Sequence, residues 1–329
     1  MSRKILALLF VILASAAAIA GDNAPAKAIL ARAREITNLS GKDAKPFKME
    51  VSFRAFHLKS GNRDGKYILF WKSDKESRVE SQLGDFSEVQ VTRSSETWIK
   101  SNLVFGPASV ENVRQMIRQY QNPQDTNDLN NLGKIKDEKV GGVAAQCFDG
   151  KNKYQKYRMC FAVATGTPLR VETKSGFMSY EYEYSDYSQV GSKLYPRKMM
   201  YSENGFKMVK ATIDSIQDWV PAADDLAPPP GATLHRVCKA GRPTAPKATY
   251  TPDPQYPTDV KERKNSLVVL HVLLSPEGKI SAMEVQRSGG PEFDREAMKA
   301  VSQWKFEPAK CAGEPIEVQI NIEVSVRMN

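Results

Sequence analysis

The stretch that decides the fold lies near the end of the chain and reads IEVQINIEVSVRM, residues 316–328. Apolar and polar residues alternate along it without a break. Ile316, Val318 and Ile320 fall on one face, and Gln319 and Asn321 fall on the other. A β-strand places successive side chains on opposite faces of its sheet. The pattern therefore predicts a strand with one buried and one exposed face.

The run LVVLHVLL, residues 267–274, precedes this strand and is apolar at both odd and even positions. A strand that is covered on both faces has this pattern, so we place the run at the centre of a sheet. Residues 275–278 follow, with Pro276 and Gly278 at positions that suit a type I turn. A second strand is predicted over residues 279–287, which completes a hairpin.

A helix is predicted next, because Phe293, Ala297 and Ala300 recur on one face at helical spacing. Val301 and Trp304 continue the same face, and Pro308 is predicted to stop the helix. The order strand, strand, helix, strand gives a small β-β-α-β domain over residues 251–329.

These residues resemble the C-terminal domain of the TonB family. The resemblance rests on QYP at residues 255–257, the turn SPEGKI at 275–280, Ser288, the helix with WKFEPA at 304–309, and GEP at 313–315. One departure is that the family usually has a glycine just before the first strand, where this chain has Lys264, Asn265 and Ser266. Asn265 would take the role of that glycine, since asparagine tolerates left-handed backbone conformations.

The N-terminus predicts export. Arg3 and Lys4 precede an apolar run over residues 5–20, which ends in Ala18-Ile19-Ala20, and this pattern is typical of a secretory signal peptide. The run is shorter than the ~20 residues that a membrane span needs. We therefore predict a signal peptide over residues 1–20 and a periplasmic protein. The alternative is an uncleaved anchor in the inner membrane.

Export changes how the four cysteines are interpreted, because an even number of cysteines in an exported chain favours disulfides. Spacing favours a bond between Cys147 and Cys160 across a hairpin, which leaves Cys238 to pair with Cys311. A metal site is the rival interpretation, but no CxxC spacing occurs and the three histidines are scattered. We therefore predict no metal and no other cofactor.

Residues 22–223 predict a second α+β domain, in which a helix over residues 24–39 is followed by many short strands and a further helix. This order resembles the lipoprotein carriers of the LolA and LolB type, with GTPLR at 166–170 and YPR at 195–197 as matching residues. The resemblance implies a half-barrel sheet that holds acyl chains. Residues 224–250 are rich in proline and alanine and predict an extended linker.

Several functions find no support in the sequence. The net charge of +9 is spread among mixed charges and forms no basic stripe with interleaved aromatics, so nucleic-acid binding is not expected. No nucleophile elbow, zinc-protease motif, P-loop or dinucleotide fingerprint occurs. We therefore expect a binding protein with no catalytic residues.

The predicted function is partner binding by strand addition to residues 316–326. The TonB resemblance implies an outer-membrane transporter, or another envelope protein, as the partner in energy-dependent transport. A lipid or lipoprotein carrier is the first alternative, and an envelope structural protein that forms a homodimer through the same strand is the second. The residues predicted to bind the partner are Ile316, Val318, Gln319, Ile320, Asn321, Ile322, Glu323 and Val324.

Overall fold

A computed structural model describes residues 23–41, 44–56, 61–94, 96–121, 131–152, 155–176, 178–236, 238, 243–260 and 265–328. The predicted signal peptide, residues 1–20, lies outside these ranges. The chain divides into two compact units, Met1–Ile68 with Pro107–Asp218 and Leu69–Gly106 with Trp219–Asn329. The predicted domain boundaries at residues 22–223 and 251–329 differ from this division and stay a prediction.

Antiparallel strands dominate the fold, with three helices among them. The elements in chain order are α1 (Ala24–Thr37), β1 (Phe47–Ala55), β2 (Arg63–Ser73), β3 (Glu76–Leu83), β4 (Phe86–Arg93), β5 (Glu96–Ser101), α2 (Ala108–Gln121), β6 (Lys136–Val140), β7 (Val143–Lys151), β8 (Lys156–Ala162), β9 (Pro168–Ser175), β10 (Met178–Val190), β11 (Lys193–Glu203), β12 (Phe206–Asp218), β13 (Thr233–Arg236), β14 (Lys247–Tyr250), β15 (Ser266–Leu274), β16 (Ile280–Arg287), α3 (Pro291–Val301), β17 (Lys305–Glu307), β18 (Lys310–Cys311), β19 (Glu314–Pro315) and β20 (Val318–Val326).

The first unit is an antiparallel sheet with two helices packed on it. Its strands follow the order β1-β12-β11-β10-β9-β8-β7-β6. β1 alternates buried and half-buried residues along most of its length, as a strand with one covered face does. The buried face of α2 carries Val113, Met116 and Tyr120, and this helix packs against β10, β11 and β12. The mainly strand-built architecture agrees with the predicted α+β class, although sheet outweighs helix.

The second unit contains β3, β4, β5 and β13 as antiparallel neighbours, together with the C-terminal elements. β13 lies within the segment predicted to be an extended linker, residues 224–250, and it pairs with β5. β14 lies in the same segment and pairs with β17. The linker interpretation is therefore wrong for these two strands, because their backbone groups are used in pairing with neighbouring strands.

The C-terminal sheet has three strands in the order β16-β15-β20, so the apolar run is central as predicted. Its inner face packs on α3, where Val268, Leu270 and Val272 meet Phe293 and Val301. The outward residues of β15 are only half-buried. The prediction of burial on both faces is therefore wrong for the outer face.

The connection between α3 and β20 is more elaborate than predicted. α3 ends at Val301, and Lys305–Glu307 forms β17 instead of continuing the helix to Pro308. β17 pairs with β14, and this tertiary pairing overrides the apolar periodicity that extended the helix to Trp304. β18 and β19 then form a short hairpin before β20. The predicted β-β-α-β order therefore omits three short strands, β17, β18 and β19.

The hairpin turn between β15 and β16 forms as predicted. The Gly278 amide N–H donates to the carbonyl oxygen of Ser275 at 2.9 Å, which closes the four-residue turn. Gly278 has φ +74°, and a Cβ at this position would collide with the carbonyl oxygen of Phe306. Glycine is thus required here for both its conformation and the close approach of the chain.

Candidate partner-binding edge

The C-terminal sheet has two edge strands, and they differ in regularity. The register between β15 and β20 runs from Val318 to Val326 without a shift. The register between β15 and β16 shifts twice, near Leu270 and near Leu274. Among the described residues, no strand pairs with the second side of β20. A long regular edge with free backbone groups can accept another strand, whereas bulges hinder such pairing.

Side chains of β20 alternate as the sequence predicted. Ile322 and Val324 are buried in the core under α3, and Ile316, Val318 and Ile320 are half-buried. Gln319, Asn321 and Glu323 are exposed. Of the eight residues predicted to bind a partner, only these last three present their side chains to solvent.

Backbone directions along β20 follow from the hydrogen bond at its end. The amide N–H of Met328 donates to Oδ1 of Asn265 at 3.3 Å, and Asn265 immediately precedes β15. Because amides alternate sides along a regular antiparallel strand, the even-numbered amides of β20 point toward β15. The amides of Gln319, Asn321 and Glu323 therefore point toward the open edge.

A polar network covers the outer face beside this edge. Nδ1 of His271 lies 2.7 Å from Oδ1 of Asn321, and its Nε2 lies 3.1 Å from Oε1 of Gln319. The ring of Phe105 packs edge-on against the imidazole at 4.9 Å between centroids. His271 is thus a structural histidine that orders two of the predicted partner-binding side chains.

A groove of about 470 Å³ borders the second half of β20. One wall is the strand itself, and the other comes from the segment before Tyr256 and from Trp304, which follows α3. The lining residues are Thr251, Asp253, Pro254, Trp304, Glu323, Val324, Ser325 and Arg327. The sequence prediction missed this second wall.

Three contacts hold the second wall in place. Nε1 of Trp304 donates to the carbonyl oxygen of Pro252 at 3.1 Å. The Tyr256 ring packs edge-on against Phe293 at 5.9 Å, which anchors the QYP motif to the core. Arg295 pairs with Asp259 at 3.0 Å, and its hydrogen bonds lower the pKa of that carboxyl below the usual range. The segment is therefore attached to α3 at two points and to Trp304, which follows that helix.

The first half of β20 is tethered differently. Nδ1 of His235, in β13, lies 3.6 Å from Oε1 of Glu317, just before the strand. The predicted disulfide between Cys238 and Cys311 is present and joins the end of β13 to β18. The second predicted disulfide, Cys147–Cys160, links neighbouring strands β7 and β8. Both predicted pairings are confirmed.

The ionisable side chains that cluster in the first unit have structural roles. The sulfurs of Cys147 and Cys160 lie near the Glu138 carboxylate, but they are bonded to each other and offer no thiolate for a metal. Burial raises the pKa values of Tyr120 and Tyr184 and raises that of Tyr182 to about 12. The Tyr184 hydroxyl donates to the carbonyl oxygen of Met116 at 3.2 Å, which ties β10 to α2.

The first unit also contains an open pocket of about 630 Å³, whose lining combines apolar residues with the charged residues Glu183, Asp186, Lys198 and Lys210. It opens beside the turns that follow β6 and β8, and its lining includes Val140, Val143, Leu169, Tyr187 and Met199. Within the described residues, no helix is long and apolar enough to cross a membrane.

Comparison with known proteins supports the assignment of the C-terminal quarter. Residues 252–327 match the family of the Gram-negative bacterial TonB protein C-terminal domain. Protein tonB2 of Pseudomonas aeruginosa is 32% identical over 82 residues, which cover 24% of this chain and 30% of that protein. The chain therefore matches about a third of the length of this curated relative.

Several solved structures are similar to this chain. A LolA superfamily protein from Nitrosomonas europaea has a TM-score of 0.43 and 12% identity, over 60% of this chain and 94% of that one. A chain of the Pseudomonas aeruginosa MucA/MucB complex has a TM-score of 0.29 and 11% identity, over 88% of this chain and 96% of that one. At these scores the likeness carries no argument about function. Residues 252–327 are thus a match to the TonB C-terminal family, and the N-terminal region has structural neighbours in the LolA superfamily.

Proposed function

We propose that the chain is a periplasmic binding protein of the cell envelope, whose C-terminal domain binds an extended segment of a partner protein by adding it as a strand to β20. This proposal rests on how the two edge strands pair with β15. β20 pairs in one continuous register, whereas the register of β16 shifts twice. In strand addition, main-chain hydrogen bonds provide affinity and side-chain pockets provide selectivity. The outward amides of Gln319, Asn321 and Glu323 would make those bonds.

The partner we propose is an outer-membrane transporter or another envelope protein. The family match of residues 252–327 and the identity with Protein tonB2 support this choice. Participation in energy-dependent transport further requires a membrane connection, and the apolar run at residues 5–20 would have to stay uncleaved to supply it.

The proposal is tested by Asn321→Pro, because proline removes the outward N–H while an edge strand tolerates it. The matched control is Asn321→Thr, which keeps the N–H and also loses the side-chain bond to His271. We expect Asn321→Pro to reduce the amount of partner captured from envelope extract at least about tenfold, since several strand-addition bonds are disturbed together. Circular dichroism should show that both variants stay folded.

The outcome also separates the alternatives. Capture of an envelope protein that is lost in Asn321→Pro and kept in Asn321→Thr supports strand addition. Equal capture by both folded variants contradicts it. Recovery of the chain alone as a dimer would favour self-association through β20.

A lipid or lipoprotein carrier is the second candidate, and the apolar part of the open pocket, beside Leu169 and Met199, favours it. The pocket volume of about 630 Å³ falls within the ~300–1,000 Å³ range of ligand pockets. Native mass spectrometry after mild extraction should show adducts of lipid mass if this unit carries an acyl chain. A Leu169→Lys variant should lose such adducts, and their absence from the unmodified protein would contradict the carrier function.

A further inference from the structure

We propose that three lysines on the sheet of the first unit form a binding site for a ligand that carries two or more phosphate groups. They are Lys151 in β7, Lys156 in β8 and Lys174 in β9, and we call them the lysine row. All three belong to the first unit. The site is therefore independent of strand addition at β20.

The register of three neighbouring strands creates the lysine row. Lys151 lies directly opposite Lys156, and Lys156 lies directly opposite Lys174. Directly opposite residues of antiparallel strands place their side chains on the same face, and neighbouring strands are about 4.8 Å apart. All three side chains are exposed. Three lysine side chains therefore start side by side along about 10 Å of one face.

The next row of the same face has a different charge pattern. Two positions along each strand, Asp149 of β7 lies opposite Arg158 of β8, and Arg158 lies opposite Glu172 of β9. Opposite charges alternate across the strands in this row, and such cross-strand pairs stabilise a sheet. The lysine row, in contrast, has like charges on all three strands.

No carboxylate of the described residues compensates the lysine row with an ion pair. The two carboxylates of the next row are engaged with arginines, Asp149 with Arg158 at 3.0 Å and Glu172 with Arg170 at 3.2 Å. Like charges that lie directly opposite each other destabilise a sheet. The lysine row thus has a cost in stability that an anion bound between the ammonium groups would offset.

An open pocket of about 590 Å³ lies at the lysine row, and all three lysines line it. This volume falls within the ~300–1,000 Å³ range of small-molecule sites. Asn131 and Gly133 line the same pocket, and the Gly133 amide donates to the carbonyl oxygen of Asp149 at 2.7 Å, which holds this segment beside β7. The lysines therefore surround a concave site that can hold a small anion.

The hairpin that carries two of the lysines is held by its own hydrogen bonds. The Asn152 amide donates to the carbonyl oxygen of Gln155 at 3.0 Å, and the Gln155 amide donates to Oδ1 of Asn152 at 2.8 Å. Nδ2 of Asn152 donates to the Tyr157 hydroxyl at 2.9 Å, and this hydroxyl donates to Oε1 of Gln155 at 2.6 Å. Lys151 and Lys156 thus start from fixed backbone positions, which lowers the entropy cost of gathering them around a ligand.

The residue type and the number of charges indicate the chemistry of the anion. A lysine ammonium is a compact point charge that commonly binds phosphate, whereas bidentate recognition of a carboxylate uses the planar guanidinium of arginine. Arg158 also lines the pocket, but it is already paired with Asp149. Three ammonium groups spread over about 10 Å match two or more phosphate groups better than one. Soluble phosphate compounds and the headgroups of a phospholipid surface both present such groups.

Calorimetric titration of the full chain with pyrophosphate and with inorganic phosphate tests the site, at about 0.15 M salt to screen long-range attraction. We expect pyrophosphate to bind about tenfold more tightly, because it makes more charge-assisted hydrogen bonds. Lys156→Gln removes the central ammonium and should weaken pyrophosphate binding about tenfold. The matched control, Lys139→Gln, changes an exposed lysine of β6 outside the pocket lining and should leave binding unchanged.

Thermal unfolding gives a second readout, which a merely structural lysine would not move in the same direction. Because Lys156→Gln relieves two like-charge contacts, it should raise the Tm of the ligand-free chain by about 1–4 °C. Pyrophosphate should raise the Tm of the unmodified chain more than that of the variant, since a ligand stabilises the state that binds it. A lower Tm in ligand-free Lys156→Gln would contradict the cost assigned to the lysine row.

Vesicles identify the source of the phosphate groups. Cosedimentation with phosphatidylglycerol vesicles that is absent with phosphatidylcholine, lost in Lys156→Gln and competed by pyrophosphate supports a membrane surface as the ligand. Binding of pyrophosphate without binding of vesicles supports a soluble phosphate compound. Either result upholds the site.

Three results overturn the site or its chemistry. Equal pyrophosphate affinity in the unmodified chain and in Lys156→Gln excludes the lysine row as the site, and so does failure of both pyrophosphate and vesicles to bind. Tighter binding of a ten-residue glutamate peptide than of pyrophosphate overturns the choice of phosphate and makes an acidic protein segment the ligand. Partner capture by Asn321→Pro is measured separately, so failure of this site and failure of strand addition are distinguishable.

Discussion

β16 and β20 flank the same central strand, yet they are built differently. β20 keeps one register over its whole length, and its one charged residue, Glu323, lies on the exposed outer face. β16 is shifted against β15 at two points. Since bulges twist an edge and interrupt its free hydrogen-bonding groups, only β20 offers a continuous backbone to a new strand. A small sheet can thus protect one edge and leave the other open.

The surroundings of the two edges reinforce this contrast. The Cys238–Cys311 disulfide and the His235–Glu317 contact tether the segment that precedes β20. The wall at Asp253 and Trp304 borders the second half of the strand. The edge is therefore positioned at both ends, and no strand of the described residues pairs with it. Positioning of this kind lowers the entropy that ordering a binding strand would cost.

The largest expected effect comes from removing the tether of β20. Replacing Cys238 and Cys311 together by alanine opens a link with a sequence separation of 73, and chain entropy predicts a loss of about 4 kcal/mol in unfolding free energy. The control replaces Cys147 and Cys160, with a separation of 13, for about 3 kcal/mol. Chemical denaturation measures both losses.

Only the loss of the Cys238–Cys311 disulfide should change amide exchange in the edge strand β20. We expect faster amide exchange at the start of β20 in the Cys238/Cys311 variant and unchanged exchange there in the control. Equal acceleration in both variants would show that the tether does not position the edge.

The next effect tests the assigned backbone directions. Ile322→Pro removes an N–H that points toward β15 and also truncates a buried side chain, and it should destabilise the C-terminal sheet by about 2–5 kcal/mol. Asn321→Pro removes an outward N–H and should cost far less. Thermal unfolding monitored by circular dichroism compares these neighbouring positions. Equal destabilisation, or the reverse order, would mean that the amides of β20 point the other way.

The smallest effect concerns the contact at the start of β20. His235→Ala removes a partly exposed partner of Glu317, and such pairs contribute about 0–1 kcal/mol. We expect a stability change below about 1 kcal/mol and partner capture equal to that of the unmodified chain. A large loss of capture would indicate that β13 takes part in binding and that the open edge is not sufficient.

Much of the C-terminal sheet could be predicted because its signals are local. Alternation along residues 316–328 and the turn at Gly278 each follow from neighbouring residues. The cysteine pairing was predictable because only one hairpin-spaced pair was available. These features depend on periodicity and chain length, which a single sequence displays directly.

The features that were missed depend on distant contacts. β17 forms because Lys305–Glu307 pairs with β14, more than fifty positions upstream, so no local pattern could show it. The groove combines Asp253 and Trp304 with β20 for the same reason. Half-burial of the outer face of β15 was also hidden, because the sequence shows apolar character but not what covers it.

Amide hydrogen exchange of the free full chain, measured residue by residue with NMR, shows whether the edge of β20 is open. Amides that are hydrogen-bonded within a sheet exchange slowly, whereas those exposed to water exchange fast. For an open edge we expect an alternating profile, in which Gln319, Asn321 and Glu323 exchange fast and Ile320 and Ile322 are protected. Uniform protection along the strand would show that its edge is already paired and would contradict strand addition.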